Sequence, residues 1–296
     1  MNFKIKCYVQ RFFSAVPNGA KLNYLFQKHI TKTFPVADAK FLFKANMAFK
    51  HHENFENLNK VKTPKKNYYE FGAGWDLIIP LAICQLGYKT DVVDIRKLLV
   101  YELVNDANNR FNTLSEKLPF KNSSKTEIVK NLHDLKEQFG LQYLAPQDAR
   151  NTDYPDNHFD FSSSTSTMEH IPPDDILKIL NETYRIMSKG GILSMSIDYI
   201  DHWSYFDSSI SRYNFLQYSA SEWKKFNPGL NYQNRLRHLD YLKIIAQTQF
   251  DVVINNPRTP NEEQRKALRN MKLADMYKSY SYDDLEITGS EIVLRK

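Results

Sequence analysis

Of the 9 glycines in this 296-residue chain, Gly72 and Gly74 stand one residue apart, in the stretch NYYEFGAGWDLIIPLAICQLGYKTDVVDI at 67–95. Tyr68, Tyr69, Glu70 and Phe71 precede them, an apolar run from Leu77 to Leu86 follows, and a β-like run then closes on Asp94. The pattern predicts strand, glycine turn, helix and strand. Glycine lets the backbone turn sharply and lets a ligand approach main-chain atoms without meeting a Cβ. A helix opening after such a turn presents free N–H groups. An acid ending the next strand, about twenty residues on, is placed to take ribose hydroxyls. These residues predict a site for an adenosine-containing molecule.

The dinucleotide pattern G-x-G-x-x-G fails here, because its sixth position is Leu77, and Asp76 at the helix start would repel a pyrophosphate. S-adenosylmethionine has no phosphate, carries a cationic sulfonium, and tolerates acids around it. The stretch resembles motif I of class I S-adenosylmethionine-dependent methyltransferases, E/D-x-G-x-G, with Asp94 matching the ribose-binding acid. Further matches follow in order: Asp148-Ala149, the turn Tyr154-Pro155-Asp156-Asn157, Phe159-Asp160 opening a strand, a helix after Pro172-Pro173, and Met187-Ser188-Lys189-Gly190-Gly191, which resembles the family's L-K-P-G-G turn without its proline. The resemblance implies an α/β fold, a doubly wound seven-stranded Rossmann-like sheet with its ligand beyond the carboxyl ends of the strands. It also implies cofactor contacts: Gly72 and Gly74 at the methionine moiety, Asp94 at the ribose, Ile95 on the adenine face, Asp148 and Ala149 at the adenine, and Ser163 or Ser164 at the edge. Glu70 is expected to shape the turn or to meet the ammonium group through water.

Methyl transfer to a hydroxyl gains from a base, and histidine, with an unperturbed pKa of about 6.5, is the usual choice. Two candidates emerge. His170 lies within Met168-Glu169-His170 beyond the fourth strand, where many class I enzymes have an acid-histidine pair facing the acceptor. His202 lies beyond the fifth strand, beside Asp198 and Asp201. Ubiquinone-type O-methyltransferases are similar at the Glu-His pair but have another acid three residues before the Glu. Ser166 stands there in this chain, one ligand short for magnesium, and no metal is expected.

The elements around this core follow from periodicity and breakers. Two short helices over residues 8–34 break at Pro17-Asn18-Gly19, and a longer one covers 36–59, with His51 and His52 expected at its surface. Helices are further predicted from about Arg96 to Asn109, Lys125 to Phe139 and His238 to Gln249, with strands at Phe250–Ile254 and Ser290–Arg295. Residues 1–66 read as a basic helical N-terminal cap and 67–296 as the core, with an aromatic insertion at 199–237. Cap and insertion are where the acceptor should be chosen.

Residues 1–66 hold 13 Lys/Arg against 3 Asp/Glu, a balance of +10 against +6 for the whole chain, leaving −4 on the remainder. Such a lobe could attract an anionic acceptor or touch an anionic membrane. No segment matches a nucleic-acid module, and a nucleic-acid partner is not expected. The apolar stretches are too short to span a bilayer. Two cysteines, Cys7 and Cys84, make no disulfide framework and point to a reducing cytoplasm. The segments LNYLFQKHITKTFP and YNFLQYSASEWKKF resemble parts of bacterial methyltransferases associated with polysaccharide synthesis, which implies a glycan or small-molecule acceptor. A lipid or quinone acceptor, or a binding protein without activity, are the competing readings.

Overall fold

The computed structural model describes residues 2–62, 64–121 and 127–296. The helices α1 (Phe3–Ala15), α2 (Gly19–His29) and α3 (Asp38–Leu58) precede the first strand. β1 (Asn67–Phe71), α4 (Ile78–Gln85), β2 (Lys89–Val93), α5 (Tyr101–Thr113), α6 (Leu132–Phe139), β3 (Leu141–Leu144) and β4 (Phe159–Thr165) follow, then α7 (Pro173–Ile186) and β5 (Met187–Asp198). The remainder is α8 (Ala220–Trp223), α9 (His238–Ile245), β6 (Asp251–Arg258), α10 (Glu262–Arg269), α11 (Tyr282–Glu286) and β7 (Gly289–Arg295). One seven-stranded sheet runs in the order β3-β2-β1-β4-β5-β7-β6. The first five of these are parallel, and β7 lies antiparallel between β5 and β6. This is the expected doubly wound α/β sheet.

Period-two alternation sends successive strand residues to opposite faces. Tyr68, Val92, Ile192 and Val293 join one core with α3, α4 and α5. Their neighbours Tyr69, Val93, Leu193 and Leu294 join the other, against α7 and α9. The local signals agree with this packing. α7 opens on Pro173 with Asp174 and Asp175 in its first turn and Arg185 in its last, and buries Ile176, Ile179, Leu180 and Ile186. α6 is closed by an Asn131–Asp134 capping box and by Gly140 in the left-handed region.

The N-terminal segment divides in two. α3 is part of the sheet's helical layer, since Phe41, Ala45, Ala48 and Phe55 sit in the first core. α1 instead joins a third cluster, where Phe3 and Cys7 meet Trp203, Phe215 and Trp223 of the insertion and Leu268, Tyr277 and Leu285 from the β6–β7 connection. The insertion is therefore packed, and its end is pinned by Arg237. The guanidinium of Arg237, fully buried, donates to the carbonyls of Tyr199, Leu285 and Ile287.

Several expectations need correction. α5 starts at Tyr101 and not at Arg96: Leu98 N–H donates to Tyr143 Oη and Val100 N–H to the Trp75 carbonyl, which hold 96–100 out of the helix. The expected helix from Lys125 begins at Leu132; Lys125 and Thr126 lie outside the described residues. The Lys189-Gly190-Gly191 turn is a bulge within β5, where pairing passes from Phe159↔Met187 to Phe161↔Ile192. His51 is buried, its ring nitrogens 2.7 Å from Ser194 Oγ and 2.9 Å from Thr165 Oγ1. Burial lowers its pKa to about 3 and keeps it neutral.

Phe161 on β4 packs its ring against Phe55, Tyr68 and Tyr88 at centroid distances of 5.1, 4.9 and 5.5 Å. Truncating such a buried ring costs about 3–5 kcal/mol. Urea unfolding of Phe161→Ala should show a loss of that size; a loss below about 1 kcal/mol would mean that this aromatic cluster is not part of the cooperative core.

Candidate active site

A cavity of about 530 Å³ lies beyond the carboxyl ends of β1 to β4. Its floor is the glycine turn after β1, Asp94 to Arg96 after β2, Gln147 to Arg150 after β3, and Ser166, Thr167, His170 and Ile171 after β4. Gln10 of α1, Asn23 and Gln27 of α2, Lys40 of α3, and Phe206 and Tyr232 of the insertion face it from the other side. The N-terminal helices and the insertion thus meet over the carboxyl edge of the sheet.

Gly72 and Gly74 have φ of +74° and +76°. A Cβ on Gly72 would stand 2.4 Å from Thr167 Cγ2, whereas one on Gly74 would meet nothing within 4 Å. Gly72 lets the turn pack on the end of β4, and Gly74 leaves open space beside the main chain. Asp76 does not act as the sequence suggested. Its carboxylate accepts from Ile78 N–H at 3.3 Å and pairs with Lys44 Nζ at 2.7 Å, so its charge is compensated and does not face the cavity. Phosphate is disfavoured because this internal carboxylate already occupies the start of α4.

Asp94, Ile95, Asp148 and Ala149 all line the cavity. Asp94 Oδ1 accepts from Arg96 N–H at 3.2 Å, while the buried Oδ2 has no hydrogen-bond partner among the described residues. Burial raises the Asp94 pKa, opposed by the backbone N–H groups of Arg96, Gly74 and Ile95. An unmatched buried acceptor is costly, and a ligand diol beside it would remove the deficit. Ile95 is 62% exposed at this edge, an apolar surface available to a flat ring. Asp148 is already held by Arg150, whose guanidinium bonds both its oxygens and also reaches Asp175 at 2.8 Å. Arg150 keeps the Asp148 pKa low.

Three expected cofactor residues are not on the cavity wall. Glu70 is buried beneath the turn, where Tyr68 O–H donates to it at 2.6 Å and lies 2.7 Å from Ser163 Oγ. Ser164 is also buried, its Oγ unpartnered among the described residues. β4 runs on to Thr165, and the wall is made by the next residues, Ser166 and Thr167. Thr167 O–H donates to the Gly72 carbonyl at 3.3 Å and fastens the turn to this strand end.

Both candidate bases come together, with their rings 4.9 Å apart. His170 lines the cavity and its Nδ1–H donates to the Tyr232 carbonyl at 2.6 Å. Desolvation and the neighbouring His202 lower its pKa to about 4. His202 stands behind it, with Nε2 3.4 Å from Asp198 Oδ2 and 3.9 Å from Glu169 Oε1. Burial lowers the His202 pKa, but Asp198 and Glu169 outweigh it and the net shift is upward. Glu169 is 2% exposed, and desolvation raises its pKa to about 8 against the pull of His202. Glu169, His170 and His202 each offer a ligand atom within 4.8 Å of the others. The sequence pointed to Ser166 as the missing ligand position, but the third donor arrives from the loop after β5.

Cavity residues that sequence reasoning did not single out are Thr167 and the amides Gln10, Asn23 and Gln27. Asn23 and Gln27 do fall within LNYLFQKHITKTFP, the segment that resembles glycan-associated enzymes.

Residues 121–195 match the family model described as a methyltransferase domain, a domain that takes S-adenosylmethionine as its cofactor. The match runs from before α6 through most of β5. With the strand order it supports a class I S-adenosylmethionine-dependent methyltransferase. No curated protein sequence matches the chain significantly. Among solved structures it is similar to an S-adenosylmethionine-dependent methyltransferase of Methanosarcina mazei, at 13% identity over 78% of this chain and 92% of that one, TM-score 0.42. It is also similar to geranyl diphosphate C-methyltransferase of Streptomyces coelicolor A3(2), at 12% identity, 84% and 79% coverage and TM-score 0.46. The [4+2]-cyclase SpnF gives 13% identity, 85% and 81% coverage and TM-score 0.47. Resemblances this low say nothing of what the chain acts on.

Burial raises the Glu70 carboxyl from an ordinary 4.5 to about 8, opposed by the hydrogen bond from Tyr68. Between those pH values the folded chain holds a proton that the unfolded chain has lost, so this contribution to stability is fully present below about pH 4.5 and is lost as pH rises through about 8. Urea unfolding at pH 5 and pH 8.5 should show wild type losing up to a few kcal/mol relative to Glu70→Gln as pH rises. Parallel profiles would contradict this burial of Glu70.

Proposed function

We propose that the protein is an S-adenosylmethionine-dependent methyltransferase that methylates a hydroxyl of a small-molecule or glycan acceptor. One observation carries this reading: a single cavity joins the open glycine turn and unmatched Asp94 at one end to His170 at the other. S-adenosylmethionine supplies a sulfonium-bound methyl that passes to the acceptor oxygen, leaving S-adenosylhomocysteine, with the hydroxyl proton going to His170. Asp94 takes the ribose hydroxyls, Ile95 and Ala149 cover the adenine, Asp148 stands at its edge, and Gly74 admits the methionine chain. Aligning the two reactants supplies several kcal/mol of the rate enhancement. His170 is suited to the proton because Tyr232 occupies Nδ1–H and leaves Nε2 with its lone pair. Its lowered pKa keeps it unprotonated at neutral pH and makes it a weaker base than an ordinary histidine.

The amides Gln10, Asn23 and Gln27, each able to donate and accept, support a polyhydroxylated acceptor on the cap side of the cavity. A lipid-borne acceptor is the second reading, favoured by α1, which exposes Ile5, Tyr8 and Phe12 at helical spacing alongside Lys4 and Arg11. No helix among the described residues is long and apolar enough to cross a membrane. Contact with an anionic bilayer would therefore be peripheral. The free thiols of Cys7 and Cys84 fit a cytoplasmic setting.

Calorimetry should show S-adenosylmethionine binding that falls at least about tenfold, or 1.4 kcal/mol, in Asp94→Ala; wild type that does not bind removes this reading. His170→Ala should keep that affinity and lose about 10²–10⁴ in turnover, and full turnover would exclude it as the base. With labelled methyl donor and a fractionated extract, label is expected in saccharide. Label in lipid alone selects the second reading, and label in nucleic acid alone refutes both.

A further inference from the structure

We propose that Lys40, in the first turn of α3, is the counter-ion for the α-carboxylate of the methionine moiety of S-adenosylmethionine, so that the N-terminal helices form part of the cofactor site. The role of Lys40 rests on that cofactor and is independent of the acceptor.

S-adenosylmethionine has one anionic group, the carboxylate at the end of its methionine chain. A carboxylate taken out of water is costly unless it is paired. The glycine turn offers it only main chain, and Asp94 and Asp148 repel it. Three lysine and arginine side chains line the cavity, Lys40, Arg96 and Arg150. Arg150 is committed to Asp148 and Asp175. Neither Lys40 nor the Arg96 guanidinium has an ion pair among the described residues.

Position separates these two. Arg96 follows Asp94 in the chain, and its charge lowers the pKa of both Asp94 and His170, so it acts at the ribose acid and the base. Lys40 belongs to the glycine turn. One helical turn further along the same face of α3, Lys44 Nζ is 2.7 Å from Asp76 Oδ2, two residues past Gly74. Lys44 thus clamps α3 to the turn, and Lys40 stands one turn nearer the start of the helix, on the cavity wall with Gly72, Gly74 and Trp75. A methionine chain admitted at Gly74 brings its carboxylate toward this ammonium group. The backbone beneath Lys40 is fixed, since the adjacent Phe41 is fully buried with its ring 4.9 Å from that of Phe111.

α3 itself gains little from a lysine here. A cation in the first turn opposes the helix dipole, and Lys44 at i+4 repels it. Desolvation and that like charge lower the Lys40 pKa, opposed by Asp76. Asp76, however, is already paired with Lys44. A ligand carboxylate offsets all three costs and forms a charge-assisted hydrogen bond with the ammonium group.

Calorimetry with two ligands that differ only in this group tests the assignment without turnover. S-adenosylmethionine and its decarboxylated form share the adenosine, the sulfonium and the amine, and only the first has the carboxylate. Wild type should bind the carboxylated ligand about 10–100-fold more tightly. Lys40→Met, its fold checked by circular dichroism, should weaken for S-adenosylmethionine by about that factor and change less than about threefold for the decarboxylated form. Arg96→Met should keep the preference. Wild type that binds both forms equally overturns the proposal, as does Lys40→Met with its preference intact or with equal losses for the two ligands. Loss of the preference in Arg96→Met alone assigns the carboxylate to Arg96 and overturns it as well. The wild-type affinity separates the two ideas: S-adenosylmethionine binding without a Lys40-dependent preference keeps the cofactor and removes only Lys40, whereas wild type that binds neither ligand removes both.

Discussion

The turn from Gly72 to Leu77 places Gly72, Gly74 and Leu77 in the left-handed region, and the cleft is assembled against it. A backbone that reverses this tightly cannot be held by its own hydrogen bonds, so the surroundings fix it. Thr167 bonds the Gly72 carbonyl from the end of β4, and Lys44 of α3 neutralises Asp76. Below it, Tyr68, Glu70 and Ser163 form a buried polar network between β1 and β4. Two elements distant in sequence, α3 and the end of β4, thus hold this turn in place together with β1 beneath it. This arrangement explains why Glu70, the acid of the motif, serves the turn from beneath.

The acceptor end is built on another plan. α1 and the insertion share a small core of their own, with Phe3 against Trp203 and Phe226. Leu230 N–H donates to Ser14 Oγ, and the Cys7 thiol approaches the Lys225 carbonyl. The covering of the cavity is therefore one packed unit made from α1 and the insertion. Such a unit can change its acceptor preference without disturbing the sheet, which is how a common core comes to serve different chemistry.

Much of this was legible in the sequence. β1, β2 and β4 read NYYEF, KTDVV and FDFSSST, too polar to stand out as apolar runs, and are placed by the glycine turn and by the order of the motif matches. Asp94 follows the glycine turn by one βαβ unit, whereas Asp148 is placed by the resemblance alone. Legibility failed where a long-range contact decides. Segment 96–100 has helical composition but is held out of the helix by Tyr143 and the Trp75 carbonyl. Ser163 and Ser164 were placed at the edge because the length of β4 was not visible, and the two residues by which it continues move the edge to Ser166 and Thr167. The pairing of Glu169 with His202 spans two loops, which no local pattern can show. His51 looked like a surface residue among lysines and asparagines, yet it fills a polar gap at Ser194 and Thr165.

The central claim is that carboxylates beyond the strand ends, and not phosphate-cradling amides, hold an adenosyl sulfonium in the cleft. The most direct measurement is a crystal structure with S-adenosylhomocysteine bound. It should place the ribose hydroxyls on Asp94, the adenine on Ile95, the amino acid moiety beside Gly74, and the sulfur facing His170. A ligand found outside this cleft, or one inside it with its ribose away from Asp94, would contradict the account.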